Sequence, residues 1–119
     1  MTEFALIFRV GPSWKGDITP AEMQNRMTAW MNWMGGIAAK DKLVSSGNRL
    51  GIKGSKVVGA NNVISDGPFT EVKEFINGYI IVKGDSVDEA VEFAKSCPLV
   101  VGNFGKVEVR PLVAPDNNQ

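Results

Sequence analysis

Asp66, at the head of the tetrapeptide Asp66-Gly67-Pro68-Phe69, and the arginines Arg9 and Arg110 are the side chains of this sequence best suited to chemistry by type and position. Asp66 has two readings. A carboxylate ahead of Gly-Pro accepts hydrogen bonds from its own turn, with Gly67 in a conformation other residues avoid, Pro68 presetting the next step and Phe69 anchoring the turn. At the rim of a cleft between subunits, desolvation would instead raise its pKa into the range for general acid or base work. Arg9 sits on an alternating segment near the amino terminus, and Glu108 and Arg110 on a second one near the carboxyl end. If those two strands are neighbours and Val107 and Val109 face inward, all three charged groups emerge on one face. They then form an ion-pair network at a subunit seam, or an anchor for a small anion, which guanidinium grips as a bidentate fork. Trp14 and Tyr79 are placed to line the same cleft, or to pack at its rim.

The available chemistry is narrowed by what the composition lacks. The 119 residues include no histidine and a single cysteine, Cys97. Acid–base work therefore falls to a shifted carboxylate, a lysine or a tyrosine, and zinc, haem or iron–sulfur centres have no ligand set. No metal or cofactor is expected. Gly51, Gly54 and Gly59 belong to no phosphate-loop pattern. Cys97, at the end of a helical pattern, reads as structural, because the negative end of a helix raises a thiol's pKa. Thirteen basic residues balance thirteen acidic ones, which gives no general attraction for nucleic-acid backbones. No apolar run nears the roughly 20 residues that cross a bilayer, and "MTEFALIFRV" alternates like a strand rather than a signal peptide. Cytoplasm is the default compartment for a chain with one cysteine.

These residues must be positioned by one domain, spanning residues 1–113, with a polar tail at 114–119. "FALIFRV" has the period of a strand. Thr19, Pro20 and Glu22 form a helix start, and Met23, Met27, Trp30, Met34 and Ile37 follow as an apolar stripe at spacings of three and four. That spacing reads as core rather than as a cofactor box. Gly35-Gly36 predicts a bend or a close helix contact. "SSGNRLGIKGSKVVGANNVIS" reads as short hairpin strands, "EFINGYIIVKG" as the most apolar strand and "GKVEVRPLV" as the last. Between the latter two lies a second helix capped by Ser86 and Glu89, with Val87, Ala90, Val91 and Ala94 inward and Pro98 as its stop.

The order predicts an α+β, ferredoxin-like β-α-β-β-α-β fold with an inserted hairpin: an antiparallel sheet with two helices on one face. The other face then carries Ala5, Ile7 and Arg9, with both parities apolar around Tyr79-Ile80-Ile81-Val82. Its simplest cover is the same face of a second copy, giving a homodimer and a cleft between two sheets.

The stretch from Asp66-Gly67-Pro68-Phe69 through Glu71, Lys73, Gly78-Tyr79 and Asp88-Glu89-Ala90 to Cys97-Pro98 resembles the DGPF type of YCII-related proteins, which are small bacterial proteins. The resemblance implies a dimeric ferredoxin-like α/β barrel and no single known reaction. Some members are thought to use a histidine on the first helix with an aspartate near its end. Here Trp30 stands at the histidine position, and the aspartate position falls near Ala39, with Asp41 the neighbouring acid. An indole in place of the base implies a packed or stacking site. The reading is thus a small-molecule-binding or regulatory module. The alternatives are a cofactor-independent isomerase, lyase or monooxygenase-like enzyme working through Asp66 or a tyrosine, and a structural partner in sigma-factor-linked transcription.

Overall fold

The computed structural model describes residues 1–11, 18–51, 53–67 and 75–114. The chain runs β1 (Thr2–Val10), α1 (Pro20–Ala39), β2 (Leu43–Arg49), β3 (Lys56–Val58), β4 (Ile64–Asp66), β5 (Phe75–Gly84), α2 (Val87–Lys95), α3 (Pro98–Val101) and β6 (Gly105–Pro111). Four strands form an antiparallel sheet in the order β2-β5-β1-β6, and β3 and β4 pair as a separate hairpin. This is the ferredoxin-like arrangement with the inserted hairpin that the element order predicts.

Local chemistry sets the element ends. Thr19 Oγ1 accepts from the Glu22 N–H at 3.1 Å, and Pro20 starts α1 where a missing N–H costs nothing. The helix closes on Asp41, whose φ is +58°. The Asp41 and Lys42 N–H groups donate back to Ala38 O and Ile37 O, so the last carbonyls stay bonded although an aspartate holds the left-handed position that glycine usually fills. Ser86 Oγ caps α2 by accepting from the Glu89 N–H at 3.2 Å. In the hairpin turn, Asn61 and Asn62 both take φ of +60°, which asparagine tolerates better than most residues.

Alternation along β1 puts Phe4, Leu6, Phe8 and Val10 into the core with Ile80 and Val82 of β5. The helices cover that face with Trp33 and Ile37 of α1, Ala90 and Phe93 of α2, and Leu99 of α3. Trp33 donates from Nε1 to Phe93 O at 2.9 Å, a buried bond that fixes α1 to α2. Glu89 adds a second tie: its carboxylate accepts from the Asp85 N–H at 2.7 Å and from Lys42 Nζ at 3.1 and 3.3 Å.

Several sequence expectations are corrected. The buried side of α1 is Trp33 and Ile37, with Trp30 and Met34 half-buried, whereas Met23 and Met27 are exposed. The reason lies beneath them, where β2 presents Ser45-Ser46-Gly47-Asn48 and gives the methionines no apolar surface to pack on. Gly35 and Gly36 lie inside α1 and meet no close neighbour, since a Cβ at either would have nothing within 4 Å, so the expected close contact is absent. On α2, Phe93 is buried while Val87 is exposed. Pro98 ends one helix and begins another, so three helices cover the sheet rather than two.

Candidate functional site

Because the first half of α1 stands off from β2, a groove of about 510 Å³ opens between them. Phe8, Trp30 and Ile80 line it from within, Met31 stands on its helical wall, and Arg26 and Arg49 are its cationic residues. The Trp30 ring meets Phe8 edge-on at 4.8 Å and Trp33 at 5.5 Å, so neighbouring rings hold the indole in place. The opposite wall depends on Gly47, whose φ is +61° and whose Cβ, if present, would fall 1.7 Å from Tyr79 O. Only glycine lets β2 close onto β5 there. Apolar walls with a few polar groups at the edge are the usual lining of a small-molecule site.

The open face of the sheet carries the charged set read from the sequence. Arg9 Nε donates to Glu108 Oε1 at 2.8 Å, and Arg110 Nη1 lies 3.7 Å from Glu108 Oε2. Register places Ile7 between Tyr79 and Glu108, and Ala5 between Ile81 and Arg110. Arg9, Arg110 and Tyr79 therefore share one face, with half-buried Ile7 and Ile81 among them. Glu108 stands between the two guanidinium groups and offsets one of their charges.

Asp66 lies elsewhere, on the separate hairpin, where it pairs with Lys56 across the strands and is 88% exposed. The turn's main-chain bond runs from the Gly67 N–H to Ser55 O at 2.8 Å. Gly67 does not take a positive φ; space makes the demand instead, since a Cβ there would come 3.1 Å from Val57 Cγ2 and 3.3 Å from the Lys56 backbone. Trp14, Pro68, Phe69, Glu71 and Lys73 lie outside the described residues. Asp41, at the end of α1, is eleven positions from Trp30, about 16 Å along a helix, and its carboxylate lies 4.0 Å from Lys83 Nζ. Trp30 and Asp41 are thus too far apart to act as a pair.

Cys97 is fully buried, and desolvation pushes its thiol up to about 11. The Leu99 and Val100 N–H groups of α3 act in the opposite direction and lose. Burial, not the end of α2, is what makes it inert. Among the described residues, no group of histidine, cysteine and carboxylate side chains is placed to hold a metal ion, and no helix is long and apolar enough to cross a membrane.

The model of the YCII-related domain matches residues 15–113. The chain belongs to the YCII-related family. A relative in sequence, an uncharacterized protein from Rhizobium meliloti (strain 1021), is 40% identical over 50 residues, which make up 42% of this chain and 40% of that protein. The match thus spans less than half of the relative's length. Among solved structures, this YCII-related chain is similar to 5-chloro-2-hydroxyhydroquinone dehydrochlorinase (TftG) from Burkholderia phenoliruptrix AC1100 in complex with 2,5-dihydroxybenzoquinone. That similarity has a TM-score of 0.51 at 18% identity, covers 98% of this chain and 99% of the other, and bears on the fold alone.

In the sequence, Trp30 stood at the family's histidine position and read as a packed or stacking residue, and the groove beside it was not anticipated. The available signal was the conflict between a methionine-rich helix face and the polar run at Ser45–Asn48, which cannot pack against each other.

Proposed function

We propose that this YCII-related chain is a cytoplasmic, homodimeric small-molecule-binding module, and that its ligand is a planar aromatic or quinonoid molecule bearing acidic oxygens. The observation that carries this reading is the groove of about 510 Å³, in which Phe8 and Trp30 offer ring surface and Arg26 and Arg49 supply positive charge. Phe8 and Trp30, whose rings cross at 80°, supply aromatic surface for a flat ligand, and guanidinium suits its oxygens. TftG, which shares the fold, is solved with 2,5-dihydroxybenzoquinone, a ligand of this chemical kind.

Calorimetric titration with 2,5-dihydroxybenzoquinone and hydroxybenzoates tests the reading. Saturable binding is expected, weakened at least tenfold by Trp30→Ala and by Met31→Glu, the latter an exposed position where folding is not at stake. No binding, or unchanged affinity in both variants, would overturn it.

Dimerisation through the open sheet face has a separate support. The chain is only 19 Å thick, and its radius of gyration is 16.0 Å, against about 13.5 Å for a compact domain of this length. Ala5, Ile7, Tyr79 and Ile81 on the open face are only half-buried, although apolar. A second copy over Ile7, Tyr79 and Ile81 would remove apolar area from water and enclose the Arg9–Glu108–Arg110 set.

The runner-up is a cofactor-independent isomerase, lyase or monooxygenase-like enzyme. The observation favouring it is the Tyr79 hydroxyl, 3.5 Å from Asn48 Nδ2 on the open sheet face, where it would meet a ligand held between two paired sheets rather than one in the groove. Turnover of a bound quinone or hydroquinone that disappears in Tyr79→Phe, with binding retained, would move the assignment to catalysis.

A further inference from the structure

The pairing of β1 with β5 runs in step from Thr2 opposite Gly84 to Phe8 opposite Gly78, then resumes with Arg9 opposite Ile76. One residue of β5, Asn77, is left over as a bulge, the device by which a strand re-aims a side chain. Asn77 is half-buried and lines the groove beside Trp30. Its carbonyl accepts from the Leu50 N–H at 2.8 Å, which ties the bulge to the end of β2. Its carboxamide has no hydrogen-bond partner among the described residues.

Next to it stands Arg49, paired with Gly78 across β2 and β5. Glycine is needed for that pairing, since a Cβ at Gly78 would fall 2.8 Å from Asn48 O and 3.3 Å from Arg49 Cα. Arg49 also lines the groove, and it makes no ion pair among the described residues. The groove's other cation, Arg26, is already engaged, with Cζ 4.3 Å from the centre of the Phe104 ring. No aspartate or glutamate lines the groove among the described residues. It therefore has a polar corner, Arg49 with Asn77, beside an aromatic stretch formed by Phe8 and Trp30.

We infer that Arg49 and Asn77 form a carboxylate subsite of this groove, and that its preferred ligand is a monocyclic aromatic carboxylate with the ring beside Trp30 and the carboxylate at the bulge. The inference rests on the groove being the ligand site proposed above, and narrows its chemistry from acidic oxygens in general to a carboxylate. Guanidinium offers a carboxylate a charged two-donor fork, and the asparagine NH₂ group donates a further bond.

Calorimetric titration with 4-hydroxybenzoate and with 4-hydroxybenzamide, which keeps the outline and removes the charge, tests it. Wild type is expected to bind the carboxylate at least about tenfold more tightly than the amide. Arg49→Gln is expected to bring the two ligands within about threefold of each other, and Arg49→Lys to keep part of the preference. Asn77→Asp, which sets a like charge at the bulge, is expected to weaken 4-hydroxybenzoate more than the amide. Arg49 is exposed, so folding is not at stake in its variants. Equal binding of both ligands by wild type, each lost in Trp30→Ala, would overturn the subsite and keep the groove. A preference that survives Arg49→Gln would put the anchor elsewhere and overturn it too. Binding of neither ligand would remove groove and subsite together.

Discussion

At the residue scale, Asp41, Cys97 and Glu89 show how placement decides what an ionisable group does. Asp41 holds a left-handed turn and reaches Lys83 only at 4.0 Å while fully exposed, so its charge adds little. Asp41→Gly is expected to raise stability by about 0.5–1 kcal/mol in chemical denaturation, since glycine takes that conformation without cost. A loss would mean that the carboxylate has a role the turn does not explain. Cys97 stays a thiol up to about pH 11 in the folded state. It should react with Ellman's reagent only after denaturant opens the core; fast reaction of native protein at neutral pH would contradict its burial. Glu89 is held below the usual carboxylate range, first by its bond from the Asp85 N–H and then by Lys42. A lowered folded-state pKa adds stability above the unfolded value, and that stability is lost as pH falls through the folded one. Acid titration should therefore show a loss of stability below about pH 4.5 that is reduced in Glu89→Gln.

At the scale of elements, the close approach of β2 to β5 at Gly47 is the most demanding geometry described. Gly47→Ala meets both a positive φ and the Tyr79 carbonyl, so it should cost about 3 kcal/mol or more in denaturant melts and open the groove wall. Trp33→Phe should cost about 2–3 kcal/mol, because it leaves Phe93 O without its buried donor. The element order, the helix start at Thr19-Pro20, the hairpin and the pairing of β1 with β6 were legible in the sequence, because alternation and capping are local signals. The inward side of α1 was not. Its methionines have helical spacing, but burial depends on what β2 places beneath them, and that is set by tertiary pairing. Asp66 was conspicuous in sequence because Asp-Gly-Pro is conspicuous. Its setting on a separate hairpin, paired with Lys56, follows from strand pairing that the tetrapeptide does not encode.

For the whole molecule, the two-layer shape has two distinct sides: helices that border the groove proposed to hold a small ligand, and an open sheet face over which a second copy is proposed to pack. Wild-type protein is expected to sediment as a dimer at micromolar concentration and Ile81→Glu as a monomer; a wild-type monomer would remove the assembly from the account. The two sides also separate the cleft between paired sheets expected from the sequence from the groove beside Trp30 that the structure adds. Backbone and indole amide shifts, followed during titration with 2,5-dihydroxybenzoquinone, distinguish them most directly. The account predicts perturbations clustered at the Trp30 indole, Gly47 and Gly78, while Ile7, Arg9 and Glu108 stay within the background. Shifts concentrated on Ile7, Arg9 and Glu108, or none at saturating ligand, would contradict it.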